Sequence, residues 1–342
     1  MTLLARRLIL TTILGAMTAA AACQDKTADT ANLQKSEPVI QTQLPQDDDV
    51  SKDELSAIIK DTLVKAKATQ GAGTPKMWRY ADDDTTVFLF GTVHILKPER
   101  KWQDDTLRAA FEKADTVILE ADVKSPENAK VLQQLIAQHG VFTDGGTLSR
   151  AMNDQDRQIV KQALSAQNIP LEAVDAMKPW MVSIQLTLLQ MLKSGYDPNS
   201  GVEQYFLNHP EIKDKKLAYL ESVETQINAL SKASLEDQIQ GLLATISTLE
   251  LGPQYLDTLV DEWADGDIQG IGAMISNPAL YGSKSAYDSL LTDRNRNWLP
   301  LLQALLNEPG TKFVAVGTAH LAGPDSVVKM LKEEGVNVTP VN

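Results

Sequence analysis

The sequence predicts an α/β protein, leaning towards α+β, with a central, mostly parallel sheet, flanking helices and one large helical insertion. Three observations carry that expectation. A strand-and-turn unit occurs twice, as Val87-Phe88-Leu89-Phe90-Gly91-Thr92-Val93-His94 and as Phe313-Val314-Ala315-Val316-Gly317-Thr318-Ala319-His320. The first copy is followed by a helical stretch, roughly Asp105–Lys113, and then by the apolar run Thr116-Val117-Ile118-Leu119-Glu120. That strand–helix–strand order implies a parallel crossover. From Ser125 to about Leu306 the apolar residues recur mostly at helical spacing, which makes the interval between the two copies a helical insertion.

Each copy of the repeat reads as a short strand covered on both faces, because its apolar residues run continuously instead of alternating. The glycine then permits a positive φ or a close approach to the backbone. The histidine arrives just beyond the carboxyl end of its strand, the edge at which open α/β sheets bind ligands. The chain has four histidines, and two of them hold the same place in this unit. A satisfied core or surface histidine would explain either copy alone. Two in register point to a shared site. His139 and His209, beside Gly140 and Pro210, read as surface groups at helix ends.

The amino terminus reads as a targeting segment. Arg6 and Arg7 precede an apolar stretch, Leu8–Ala22, too short to span a bilayer comfortably and of the length of a secretory signal core. The single cysteine, Cys23, follows Ala20-Ala21-Ala22 and resembles the lipidated cysteine of a bacterial lipobox, with Ala20 in place of the usual aliphatic residue. Residues 1–22 are therefore expected to be a signal peptide and Cys23 a lipid-attachment site. Ordinary cleavage at a small-residue site, giving a soluble periplasmic or secreted protein, is the alternative. Gln24 after Cys23 favours the outer membrane, and an anchored chain would face the periplasm with the lipid as its only membrane contact. Residues 23–75 read as a tether: polar from Gln24 to Val50, with one helix over Asp53–Lys67 and a Gly71-Ala72-Gly73-Thr74-Pro75 linker. Residues 76–342 form the domain. The formal charge of −13 argues against nucleic acid and anionic membrane surfaces as partners.

Within the domain, Met77–Tyr80 and Thr86–Phe90 flank three aspartates and predict a hairpin leading into the first repeat. Inside the insertion, Lys216-Leu217-Ala218-Tyr219-Leu220-Glu221 predicts a further short strand ending on an acid. A helix over about Arg294–Leu305 precedes the second repeat, and a helix over Asp325–Glu334 and a strand over Asn337–Val341 close the chain. Four strands thus end on His94, Glu120, Glu221 and His320. Laid side by side and parallel, they would bring two imidazoles and two carboxylates to one sheet edge. That set is a competent shell for a divalent transition metal (Mn, Co or Zn) with positions left for water. Such an ion acidifies its water and polarises a carbonyl, and a free carboxylate takes the proton. Capping or arginine pairing would equally explain either glutamate. Arg294, in Arg294-Asn295-Arg296-Asn297-Trp298, is placed to hold an acidic group or to start a solvated helix. Cys23 falls in the expected signal region, and neither a Gly-x-Ser-x-Gly elbow nor a phosphate loop occurs, which weakens the other catalytic routes.

With these residues in view, the sequence resembles the TraB/PrgY/GumN family, relatives of the Tiki metalloproteases, from about Met77 to the C-terminus. The resemblance rests on two Gly-x-x-His motifs, Gly91–His94 and Gly317–His320, and on Leu119-Glu120-Ala121-Asp122. Lys178-Pro179-Trp180, Gly201-Val202-Glu203-Gln204-Tyr205-Phe206, Leu220-Glu221-Ser222 and Arg294-Asn295 add to it. It implies a fold related to the erythromycin-esterase and ChaN-like proteins and a metal-dependent hydrolase site. His94, Glu120 and His320 would form its centre, with Arg294 and Asn295 nearby. Glu203 is counted with His94, Glu120 and His320 as an expected metal ligand, although the family usually has aspartate there, and Ser326 stands where the family often has glycine. The expected activity is that of a peptidase or amidase acting on a peptide or small amide in the cell envelope, with Glu120 as base, Arg294 orienting the substrate, and Glu221 and Asn295 completing the site. A non-catalytic peptide- or ligand-sequestering lipoprotein, a haem or metal carrier, and a homo-oligomer remain open alternatives.

Overall fold

A computed structural model describes residues 50–342 of the chain; the signal-peptide and lipidation expectations, including Cys23, lie outside the described residues. The fold centres on a six-stranded sheet in the order β4-β3-β5-β2-β1-β6. The strands are β1 (Met77–Ala81), β2 (Thr85–Thr92), β3 (Thr116–Leu119), β4 (Lys216–Tyr219), β5 (Gly310–Gly317) and β6 (Thr339–Pro340). The first two form the expected antiparallel hairpin, while β2, β5, β3 and β4 are mutually parallel. The last strand reduces to two residues and pairs antiparallel with β1, shorter than the sequence predicts.

The apolar runs of the two repeats follow from burial on both faces. Val87, Leu89, Ile118, Val314 and Val316 point into one core with Trp78, Tyr80 and Trp298. Phe90, Val117, Leu119, Phe313 and Ala315 point into the other, with Trp102, Phe111, Phe206 and Trp263. Phe90 and Phe313 are fully buried, and truncating either to alanine would cost about 3–5 kcal/mol. The strand period of two therefore assigns alternate side chains to separate cores.

The insertion matters to the site because of where it returns the chain. It leaves the sheet after β3, contributes the edge strand β4, and re-enters through β5 between β2 and β3. The two copies of the repeat become neighbours, with Phe88 opposite Phe313 and Thr92 opposite Gly317. That register is offset by one residue from the sequence alignment of the copies. Gly91 consequently faces the second copy's Thr318: a Cβ on Gly91 would stand 2.8 Å from the Thr318 hydroxyl.

The helix expected within the tether is packed onto the domain. It spans Lys52–Ala66, opens on a Ser51–Glu54 capping box, and buries Leu55, Ile59, Leu63 and Ala66. Its main neighbours are the Ile268–Ile275 and Leu235–Leu249 helices. The C-terminal helix begins at Val327, with Ser326 as its cap, so Asp325 stays in the loop. No helix among the described residues is long and apolar enough to cross a membrane.

Candidate functional site

The parallel strands deliver their terminal residues as the sequence order requires. Across the carboxyl edge, β4, β3, β5 and β2 lead to Glu221, Glu120, His320 and His94 in turn. A Cβ added to Gly317 would lie 3.0 Å from Glu120 Oε1, 3.7 Å from His320 Cδ2 and 3.9 Å from His94 Nε2. Gly317 is thus the floor around which both histidines and Glu120 gather, and its N–H donates to Glu120 Oε1 at 2.7 Å.

His320 is enclosed. Its side chain is 4% exposed, and its ring packs against Trp298 with centroids 4.3 Å apart. Nδ1 lies 2.6 Å from Asn295 Oδ1, and Asn295 Nδ2 donates at 2.7 Å to the Asp325 carbonyl. That second bond turns the amide so that its oxygen faces the ring, which places the imidazole proton on Nδ1 and leaves the Nε2 lone pair pointing into the site. Burial, helped by the Arg294 and His94 charges and opposed by Glu120, lowers the His320 pKa to about 3.

His94 meets the opposite conditions. Its side chain is 69% exposed, and Nδ1 pairs with Glu203 Oε1 at 2.8 Å. The Glu203 charge raises the His94 pKa to about 9 against the effect of desolvation, so the imidazolium is the resting form at neutral pH. Glu203 also accepts from the Thr92 hydroxyl. It is held there by the turn at Gly201: Val202 N donates to Val93 O at 3.0 Å, and a Cβ on Gly201 would stand only 1.9 Å from the His94 carbonyl. Glycine alone fits that approach.

Glu120 and Arg294 form the buried centre. Burial by itself would raise the Glu120 carboxyl, but His320, Arg294, His94 and the Gly317 N–H lower its pKa to about 2. Since His320 is neutral at pH 7, the Arg294 guanidinium and the His94 imidazolium supply that attraction there. Arg294 donates through Nη2 to Glu120 Oε2 and to Glu221 Oε1, both at 2.6 Å. Its Nε reaches Glu221 at 3.0 Å, and Nη1 lies 3.1 Å from the Leu290 carbonyl and 3.0 Å from His320 Nε2. All five guanidinium N–H groups are thereby engaged within the protein. The sequence reading had Arg294 orient a substrate; in this arrangement it orders the acids and His320, and Glu221 holds it in place.

Three participants were not singled out from the sequence. Gln226 donates to Glu120 Oε2 at 3.0 Å. Trp298 donates to Glu221 Oε2 at 2.9 Å and lies under the Arg294 guanidinium at 5.0 Å. Trp263 donates to the Gly91 carbonyl at 2.8 Å and fixes the first turn. The spacing of Arg294 and Trp298 on one helix face was a usable signal for the second. His209, read as a surface group, is half-buried and packs edge-on against Phe111.

Beside this centre lies an open cavity of about 320 Å³, with His94, Glu120, Asp122, Glu203, Tyr219 and Gln226 in its wall. The donor kinds suit a divalent transition metal: the Nε2 lone pair of a neutral His320, an ionised Glu120 and the inner nitrogen of His94. The distances are looser than a ligand shell. His320 Nε2 and Glu120 Oε1 are 3.9 Å apart, whereas adjacent ligands at metal–ligand lengths stand about 3 Å apart. Among the described residues no three His, Cys, Asp or Glu groups are already drawn to a common point. Glu203 reaches the outer nitrogen of His94, behind the point where the three donors face one another.

The sequence model of the TraB/PrgY/gumN family matches residues 76–340. The chain belongs to this family. Its fold, a mostly parallel sheet flanked by helices, agrees with the α/β expectation. A relative in Treponema pallidum (strain Nichols), described only as an uncharacterized protein, is 20% identical over 268 residues, covering 75% of this chain and 80% of its own length. No solved structure matches the chain.

Proposed function

We propose that this TraB/PrgY/gumN-family protein is a metal-dependent hydrolase of the bacterial cell envelope, cleaving a peptide or small amide. The observation that carries this reading is the shared orientation of the two repeat histidines. Each is held through Nδ1, His94 by Glu203 and His320 by Asn295; His320 Nε2 lies 3.9 Å from Glu120 Oε1, and His94 Nε2 lies beside the same Gly317. Outer-nitrogen partners of this kind are what fix metal-binding imidazoles.

In this reading His94, Glu120 and His320 would hold the ion, and Glu203 and Asn295 orient the imidazoles. A bound Mn, Co or Zn would lower the pKa of a water and polarise the scissile carbonyl. To act as a ligand His94 would have to give up its Nε2 proton, so metal uptake would release a proton and weaken in acid. Glu120 suits a ligand or fixed charge better than the general base read from sequence, because a carboxyl with a pKa near 2 is a weak proton acceptor at neutral pH. Without the ion, Arg294, itself held by Glu221, keeps Glu120 ionised and in place. The open cavity receives the substrate beside His94, with Asp122 and Tyr219 in its wall. Attachment through Cys23 would hold the domain at the periplasmic side of the envelope.

Elemental analysis of the purified chain and of a His94→Ala/His320→Ala variant tests the proposal. About one transition metal per chain, lost in the variant, is the expected result. Cleavage of a mixed peptide library should then follow metal loading. Equal trace metal in both proteins would remove the hydrolase reading and favour a sequestering protein, for which peptide binding would survive His94→Ala.

A further inference from the structure

The lone pair of His320 Nε2 has a taker within the protein. With Nδ1 committed as donor to Asn295, Nε2 is an acceptor, and Arg294 Nη1 stands 3.0 Å from it. One lone pair serves one partner at a time, so His320 cannot ligate a metal while it accepts from Arg294. Glu120 is less exclusive: Oε2 receives Arg294 Nη2 at 2.6 Å and Gln226 at 3.0 Å, and Oε1 the Gly317 N–H at 2.7 Å. The guanidinium carries the charge that a metal would otherwise bring to these acids. Its side chain is 11% exposed, so little solvent screens it from an arriving cation.

We propose that Arg294 is the resident cation of the site and the intramolecular competitor of its metal ion. Metal binding at His94, Glu120 and His320 takes His320 Nε2 and Glu120 from the guanidinium, which remains on Glu221, Trp298 and the Leu290 carbonyl. The retained contacts make this exchange small in extent. Nε and Nη2 both reach Glu221, Nη1 keeps Leu290 O at 3.1 Å, and the ring of Trp298 supports the guanidinium face. The turn just ahead, a π-helical stretch over Asp288–Thr292, supplies the Leu290 carbonyl that anchors Nη1. Arg294 is a positioning residue in this scheme. It keeps the acids and His320 ordered without a metal and lowers the affinity for the ion that replaces it. The inference rests on the metal-site reading and sharpens it by naming what the ion displaces.

Calorimetric titration of the full chain with Zn²⁺ and Co²⁺ separates the two ideas. Arg294→Lys retains a cation near Glu221 but lacks the fork that spans Glu221 and His320. The charge-balanced Arg294→Met/Glu221→Gln variant removes the competitor altogether. Both should bind metal about tenfold or more tightly than the wild type, because a competing donor and cation beside the ligands is moved or removed, and His94→Ala/His320→Ala should not bind it. Wild-type binding with equal or weaker affinity in the folded Arg294 variants overturns the competition while leaving the metal site intact. Failure of the wild type and variants alike to bind overturns both. A measurement on the wild type needs no variant: Zn²⁺ should shift the ¹⁵N resonances of His320 Nε2 and Arg294 Nη1 together. A His320 shift with Arg294 Nη1 unmoved overturns the proposal.

Discussion

The two Gly-Thr-x-His turns are alike in sequence and opposite in electrostatic condition. His94 is largely exposed and charged, paired with a carboxylate that raises its pKa to about 9. His320 is enclosed and neutral, with a pKa near 3. Both nevertheless gather with Glu120 around the same Gly317. The motif fixes where the ring is delivered, while the group behind the ring fixes its proton. A carboxylate behind His94 favours the charged form; an amide and an indole around His320, without a carboxylate on Nδ1, do not.

The contrast is most severely tested at its buried end. Arg294→Met leaves Glu120 and Glu221 unpaired in the interior and should cost about 3–5 kcal/mol of stability in urea denaturation. Glu203→Gln, at the exposed end, breaks a pair that solvent already weakens and should cost about 1 kcal/mol or less. Similar losses from the two would mean that the turns are not electrostatically distinct.

Backbone approach distinguishes the ends next. Gly201→Ala forces a Cβ into the His94 carbonyl and should cost about 1–3 kcal/mol. It should also broaden the His94 ring resonances while leaving those of His320 sharp. A comparable cost is expected for Asn295→Leu, about 1–3 kcal/mol, because the His320 Nδ1 proton and the Asp325 carbonyl lose their partner. Here the His320 signals should change and those of His94 remain. A crossed response in either variant would break the assignment of partners.

The mildest test is pH. His94 has a folded pKa above its ordinary 6.5, so its contribution is complete below 6.5 and fades as pH rises through about 9. His320 and Glu120 have folded values below their ordinary 6.5 and 4.5. Their contributions are present above those ordinary values and are lost as pH falls through about 3 and about 2. Stability should decline on the acid side from near pH 6.5 downwards, with only a shallow alkaline limb because His94 is solvent-screened. The assigned ring signals of His94 and His320, followed by NMR, should show midpoints near 9 and near 3 respectively; midpoints near 6.5 for both of these residues would abolish the distinction between the turns.

What the sequence determined by itself is local and periodic. The apolar runs of β2, β3 and β5 identified strands buried on both faces, because an unbroken apolar run in this fold has no solvent-facing side. The register of the repeat placed His94 and His320 at strand ends, and the acids closing β3 and β4 completed the set. The order β4-β3-β5-β2, in which the insertion returns through the sheet's centre, was decided by tertiary pairing between segments far apart in the chain. The same holds for the packing of the Lys52–Ala66 helix, whose apolar stripe shows that it has a partner without saying which. Arg294 was visible as a charge near the second histidine, yet its engagement with Glu120, Glu221 and His320 depends on three strands and a helix meeting in space. Protonation belongs to the same class. Identical histidines in identical motifs acquired opposite charge states, because a pKa is set by desolvation and neighbouring charge, and those exist only once the chain has folded.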